Sequence, residues 1–361
     1  VDPRNEKVHG PGWTEWELVK RGEPKFPGHQ QPKSPLWGYE DESDPKVFAR
    51  KIDAAADHGI THFIFDWYYY EDGPFLERGL HNGYMNADNN ARLKFALMWA
   101  NHTWVDIHPA KAYHSPPVLY PGEVTRDTFD TMTDMIIEKY FTHPSYWKIE
   151  GCPYFSIYDL ATLIRGLGGL DSTVEALREF RRKTKSAGCP VLHLNAGMYG
   201  NVILPGEEAI QNPAQVVERL EMDTVTSYVW IHHVGMPQWP ANPYDEMAEG
   251  AEAYWRTARN TFSVPYHPNV SMGWDSTPRA CQSDVYVPGL YPNFPIIEGN
   301  TPDAFKKSLE RVKAFLEEDG DGHRIFNINS WNEWTEGSYI EPDTVHQMGY
   351  LEAIRQVFGM Q

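Results

Sequence analysis

Seven short apolar, β-forming runs recur along the chain, at 61–67, 93–99, 153–158, 191–195, 224–230, 269–274 and 324–330, and helical patterns separate them. Most are too apolar, or too tightly bounded, for a sheet with one wet face. Strand then helix, repeated, predicts a parallel sheet. Right-handed crossovers then restrict the architecture to a doubly wound sheet or a closed barrel.

The helix signals are regular. Asp44-Pro45, Asn212-Pro213, Asn242-Pro243 and Thr301-Pro302 each set a capping side chain before a proline whose missing N–H costs nothing at a helix start. After Thr301, residues Phe305, Leu309, Val312, Phe315 and Leu316 follow helical spacing, as do Phe129, Met132, Ile136, Ile137 and Tyr140 after Thr125. Ser172 and Glu175 form a capping-box pattern before Leu177 and Phe180. No Pro/Gly/Ser-rich linker, low-complexity tract or short repeat interrupts this order, which predicts one domain over 1–361.

The ends of the strands decide between sheet and barrel. They finish in polar and aromatic clusters: Asp66-Trp67-Tyr68-Tyr69-Tyr70-Glu71, Trp99-Ala100-Asn101-His102, Tyr158-Asp159, Trp230-Ile231-His232-His233 and Trp274-Asp275. In an α/β (β/α)8 TIM barrel such ends converge on one mouth, whereas a doubly wound sheet gathers its site at a single switch point. The reading is therefore a barrel, with long loops such as 101–124 and 275–300 over its C-terminal face. Only seven strands are found. Trp13 to Trp16 reads as a loop and Asp44 opens the first helix, so the first strand is expected upstream of Val1, or its place is filled otherwise.

Composition narrows the function classes. A formal net charge of −18 repels phosphate backbones and argues against nucleic-acid partners. No run approaches the roughly 18 apolar residues of a membrane-spanning helix. Three cysteines, Cys152, Cys189 and Cys281, are too few and scattered for a disulfide framework or a CxxC zinc site, and they leave the compartment open. No basic-then-apolar signal segment opens the chain. His102, His108, His114, His232 and His233 come without HExxH or comparable spacing, so no metal and no cofactor is expected. Asp319-Gly320-Asp321 reads as a tight turn on the face opposite the mouth. Asn101-His102-Thr103 and Asn269-Val270-Ser271 match the glycosylation pattern but sit at strands.

The densest chemistry closes the last strand: Asn329-Ser330-Trp331-Asn332-Glu333-Trp334-Thr335-Glu336-Gly337, followed by Glu341. Two glutamates three apart point to opposite faces of a straight strand, so both reach one site only if the backbone turns between them, and Gly337 suits such a turn. Two carboxyls in a tight aromatic site repel each other and resist desolvation, which pushes their proton affinities apart. An acid and a base in one pocket are what cleavage of a glycosidic bond requires.

Trp331-Asn332-Glu333-Trp334-Thr335-Glu336-Gly337 and Ile340-Glu341-Pro342 resemble the signature of the WbsX-like branch of glycoside hydrolase family 99, whose relatives include the endo-α-mannosidases. The likeness continues through Gly12-Trp13-Thr14-Glu15-Trp16, Gly28-His29-Gln30-Gln31-Pro32, Trp67-Tyr68-Tyr69-Tyr70, Trp99-Ala100-Asn101-His102-Thr103-Trp104 and Gly273-Trp274-Asp275-Ser276-Thr277-Pro278-Arg279. It implies a (β/α)8 barrel and a retaining hydrolase without metal. By position, Glu333 is implied as the base that deprotonates the substrate 2-hydroxyl, giving a 1,2-anhydro sugar. Glu336 is implied as the acid on the leaving oxygen that later activates water. Thr335 departs from the endo-mannosidases, which carry His there, so their substrate does not transfer. The family role favours a periplasmic or extracellular setting.

Candidate sugar contacts are Tyr68, Tyr69, Glu71, Trp99, Asn101, His102, Trp104, Tyr158, Trp230, His232, Trp274, Asp275, Asn332, Trp334 and Glu341. Aromatic rings stack on sugar faces and polar tips bond hydroxyls, although buried aromatics serve a core equally well. Two other functions compete with hydrolysis: a glycosyltransferase of polysaccharide biosynthesis, for which no phosphate-cradling glycine loop is found, and a non-catalytic carbohydrate-binding barrel.

Overall fold

The computed structural model describes residues 2–111, 114–318 and 324–359, so the Asp319-Gly320-Asp321 turn lies outside the described residues. Six strands lie side by side in chain order, all parallel: β1 His62–Tyr70, β2 Lys94–Trp99, β3 Cys152–Ile157, β4 His193–Gly197, β5 Thr224–Thr226 and β6 Tyr266–His267. Pro268 supplies no ladder N–H, and the chain resumes beyond it as β7 Asn269–Ser271, paired in parallel with β8 Asn327–Asn329. Leu97 stands opposite Phe65 on one side and Phe155 on the other. Register of this kind lets apolar strands share one core.

Burial follows pairing. β2 and β3 are buried on both faces beyond their first residue, as expected for inner strands of a parallel sheet. β1 differs: His62, Phe63, Ile64 and Phe65 are half-buried and Asp66 is exposed. Its free side looks toward β8, where Trp331 sets its ring 5.0 Å from Phe63. Among the described residues no ladder joins β1 to β8.

Strand limits shift from the sequence reading where turns intervene. The fourth strand runs two residues further on, and the fifth ends at Thr226 before a 3-10 turn at Trp230–His232. The sixth run begins at Tyr266 and stops at Ser271, and the last shortens to Asn327–Asn329.

Of the four expected proline caps, Asp44 accepts from Lys46 N ahead of helix Pro45–Asp57, and Thr301 accepts from Ala304 N ahead of Pro302–Glu317. Asn212 instead takes a left-handed conformation with no side-chain cap. Asn242 spends its amide on Gln238 N and O, within a short strand before helix Tyr244–Thr261. The helix expected to start at Ser172 begins earlier, at Leu170 after Gly169, whose φ of 118° only glycine adopts readily. The main hydrophobic core runs from Val19 to Ile354, and Tyr70, Phe75 and Trp104 form a second, smaller cluster.

Candidate active site

The loop after β8 folds back as a hairpin. Asn332 and Glu333 pair antiparallel with Tyr339 and Ser338, and a 3-10 turn at Trp334–Glu336 lies between. Gly337 closes it at φ 62°, where a Cβ would strike Lys33 Nζ and Asp275 Cβ at 2.6 and 2.7 Å. Only glycine fits this corner. The turn brings both glutamates to one guanidinium: Arg279 Nη2 donates to Glu333 Oε1 at 3.0 Å and Nη1 to Glu336 Oε1 at 2.7 Å.

Three more groups complete this centre. Glu15, from the N-terminal segment, accepts from Arg279 Nη2 at 3.4 Å and from Thr335 Oγ1 at 3.0 Å. Tyr291 OH donates to Glu336 Oε1 at 3.1 Å. Arg279 Nε donates to Thr335 Oγ1 at 2.9 Å, so the guanidinium is held by five side chains. Such charge-assisted, forked contacts are what fix a planar cation in one orientation.

Three carboxyls around one cation cannot all ionise cheaply. Burial pushes Glu333 up to about 8, and the carboxylates of Glu336 and Glu15 add to this against the pull of Arg279. Burial also raises Glu336, with Arg279 and Tyr291 opposing. For Glu15 burial acts upward too, yet Arg279 and the Thr335 hydroxyl outweigh it and hold the group below its usual range. Glu333 therefore carries the proton at neutral pH while Glu15 is charged. His108, lowered to about 3 by burial, is neutral beside Glu15.

These groups line a cavity of about 1280 Å³, larger than a site for one small ligand. Its walls include Tyr68, His102, Trp104, Tyr158, Asn332 and Trp334 of the expected contacts, together with Glu333 and Glu336. Tyr68 and Trp104 meet edge to face at 5.3 Å. Across the cavity Tyr228 OH donates to Asp66 Oδ2 at 2.9 Å. Enclosure lifts Asp66 to about 7, opposed by Tyr228 and reinforced by Glu333. The lining continues past the Trp334–Glu336 turn to His62, Trp147 and Phe326.

The other expected contacts lie outside this lining, each for a local reason. Trp99 is fully buried with Nε1 on Tyr69 O, and Tyr69 stacks against Trp67. Asn101 ties two strand ends together through Asp159 N and O. Glu71 caps the helix Arg126–Ile136 through Thr125 and Thr128. Trp230 donates to Asn269 O, His232 packs on Tyr199, and Trp274 is buried. Asp275 is locked by His29, Gln31 and Thr277, and although burial opposes it, Lys33 and His29 hold its carboxyl well below the usual range. Glu341 is buried with Lys51 and Trp334.

Sequence reasoning passed over Glu15, Asp66, Tyr228, Arg279, Tyr291 and Thr335 as site members. Glu15, Asp66 and Arg279 stood inside quoted motifs, which was the available signal. Tyr228 and Tyr291 carried none.

Comparison with known proteins follows the same lines. The chain is 27% identical over 357 residues to the uncharacterized protein WxcX of Xanthomonas campestris pv. campestris strain B100, and equally to that of strain ATCC 33913. The alignment covers 98% of this chain and 47% of either relative, so the chain spans about half their length. Among solved structures, a glycoside hydrolase-like protein superposes with TM-score 0.60 at 14% identity, covering 91% of this chain and 90% of that one. A GH99 endo-alpha-mannosidase from Bacteroides thetaiotaomicron superposes with TM-score 0.58 at 15% identity, covering 98% and 92%. These likenesses show a shared glycoside hydrolase-like fold. The profile of the family described as "Glycosyltransferase WbsX" matches residues 2–354, and the chain belongs to that family.

Proposed function

We propose that the chain is a retaining glycoside hydrolase that cleaves a glycosidic bond in a poly- or oligosaccharide, on a single (β/α)8 barrel domain. The observation that carries this reading is the shared guanidinium: Arg279 bonds Glu333 and Glu336 at one aromatic-walled cavity. Paired carboxyls at one site serve acid–base cleavage of sugars. The GH99 fold likeness supports the same chemistry.

In this reading Glu333, once ionised, takes the proton of the substrate 2-hydroxyl as that oxygen attacks the anomeric carbon. Glu336 protonates the departing oxygen. The 1,2-anhydro sugar then opens to water deprotonated by Glu336, and Glu333 returns the proton to the 2-oxygen. Tyr68, His102, Trp104, Tyr158 and Asn332 contact the sugar from the walls. Reducing-end release across a panel of polysaccharides, with Glu336→Gln as control, tests the proposal. Release unaffected by that substitution would remove it.

The family's description favours a second reading, a glycosyltransferase. Calorimetry with common nucleotide sugars separates the two: tight binding would favour transfer.

A further inference from the structure

Glu333 rests protonated, yet the proposed step needs it ionised. The donors around it show where that proton goes. Thr335 Oγ1 lies 2.7 Å from Glu333 Oε1 and 3.0 Å from Glu15 Oε2, and it receives Arg279 Nε at 2.9 Å. A hydroxyl has one hydrogen to give. It can serve only one of these two carboxyls at a time, and the other makes a hydrogen bond to Oγ1 when it carries a proton of its own. Arg279 Nη2 is shared in the same way, at 3.0 Å from Glu333 and 3.4 Å from Glu15. The two carboxyls thus draw on the same donors.

We propose that Glu15 is the proton-exchange partner of Glu333 and that the Thr335 hydroxyl is the bridge between them. In the resting state the Glu333 O–H donates to Thr335 Oγ1, whose own hydrogen points to the Glu15 carboxylate. Exchange breaks the Glu333 O–H bond and forms a new one on Thr335, while the old Thr335 O–H breaks and its proton joins Glu15. One proton moves from Glu333 to Glu15, and Thr335 is left unchanged with its hydrogen toward ionised Glu333. Glu15, whose side chain is 33% exposed, releases the proton to solvent. Its other carboxyl oxygen faces His108 Nε2 at 3.8 Å.

Glu15 and Thr335 are positioning residues here, since they act through Glu333. The other charges facing Glu333 are Arg279, Glu336 and Asp66. The phenols of Tyr68, Tyr228 and Tyr291 lie within its field as well. None of these bonds both Glu333 and Glu15 except Arg279, which holds its protons throughout.

The use of ionised Glu333 as base rests on the hydrolase reading, but the bridge does not, so the test needs no substrate. Carbon-13 NMR of glutamate-labelled protein, assigned with Glu333→Gln and Glu15→Gln, follows both carboxyls through a pH titration. In the unaltered chain the Glu15 signal is expected to inflect at the pH where Glu333 titrates. Thr335→Val should abolish that inflection and raise the Glu333 midpoint by about one pH unit, and Thr335→Ser should restore both. Titration curves unchanged in Thr335→Val would overturn the bridge. Should that variant fail to fold, Glu15→Gln decides: it removes a like charge and frees the hydroxyl for Glu333, so the midpoint falls by at least one unit, and an unmoved midpoint overturns the proposal.

Discussion

Trp334 Nε1 donates to Glu341 Oε2 at 2.7 Å, and Lys51 from the helix Pro45–Asp57 holds the other oxygen of that carboxyl. Lys51 also bonds Glu42 at 2.6 Å with its side chain almost wholly buried. This chain of contacts fixes the tryptophan between the two glutamates. Lys51→Met strands a buried Glu341 charge and is expected to cost about 3–5 kcal/mol in urea unfolding. The double variant Lys51→Met/Glu341→Gln should recover much of that loss. Equal destabilisation of both would show that the ion pair is not what holds the turn.

Glu336→Gln keeps the contact to Arg279 but cannot give up a proton. Turnover of a good substrate is expected to fall by about 10²–10⁴-fold with KM little changed. Steady-state kinetics on an identified polysaccharide checks this.

The pH profile follows from Glu333. In its proposed role as base it works only when ionised, and burial with its carboxylate neighbours raises it to about 8. The ratio kcat/KM should therefore drop tenfold for each unit of pH below that value in the free enzyme. A profile that declines above about 8 instead would exchange the roles of the two glutamates.

Stability gives an independent check. Glu333 binds its proton more tightly folded than unfolded, where a glutamate titrates near about 4.3. Between that pH and about 8 the unfolded chain loses the proton first, so this group's contribution to stability falls as pH rises and levels off above about 8. Glu333→Gln has no such group. It should melt higher than the unaltered chain at pH 9 and by a smaller margin at pH 5, and scanning calorimetry at both values reads the difference.

Legibility in the sequence tracked how local each signal was. The β2 run shows because a strand buried on both faces is apolar throughout. Limits failed at Ser172 and Asn242, where a glycine corner and a loop-closing amide replaced the expected caps. The turn between Glu333 and Glu336 could be read from their spacing and Gly337. The pairing of Arg279 with Glu333 could not, because residues 54 positions apart become partners only through the fold. Trp99 and Asn101 misled for the complementary reason: polar and aromatic strand ends also knit neighbouring strands, as Asn101 does with Asp159.

On the flank away from β2, β1 is paired with Gly73–Phe75 only along Tyr68–Tyr70, so His62 to Trp67 have no ladder there among the described residues. Along His62 to Trp67 the amides and carbonyls that would ordinarily face a neighbouring ladder must find water, and the cavity lining reaches that flank through His62, Phe63 and Phe326. The hollow thus extends along β1 well beyond the Glu333–Glu336 turn.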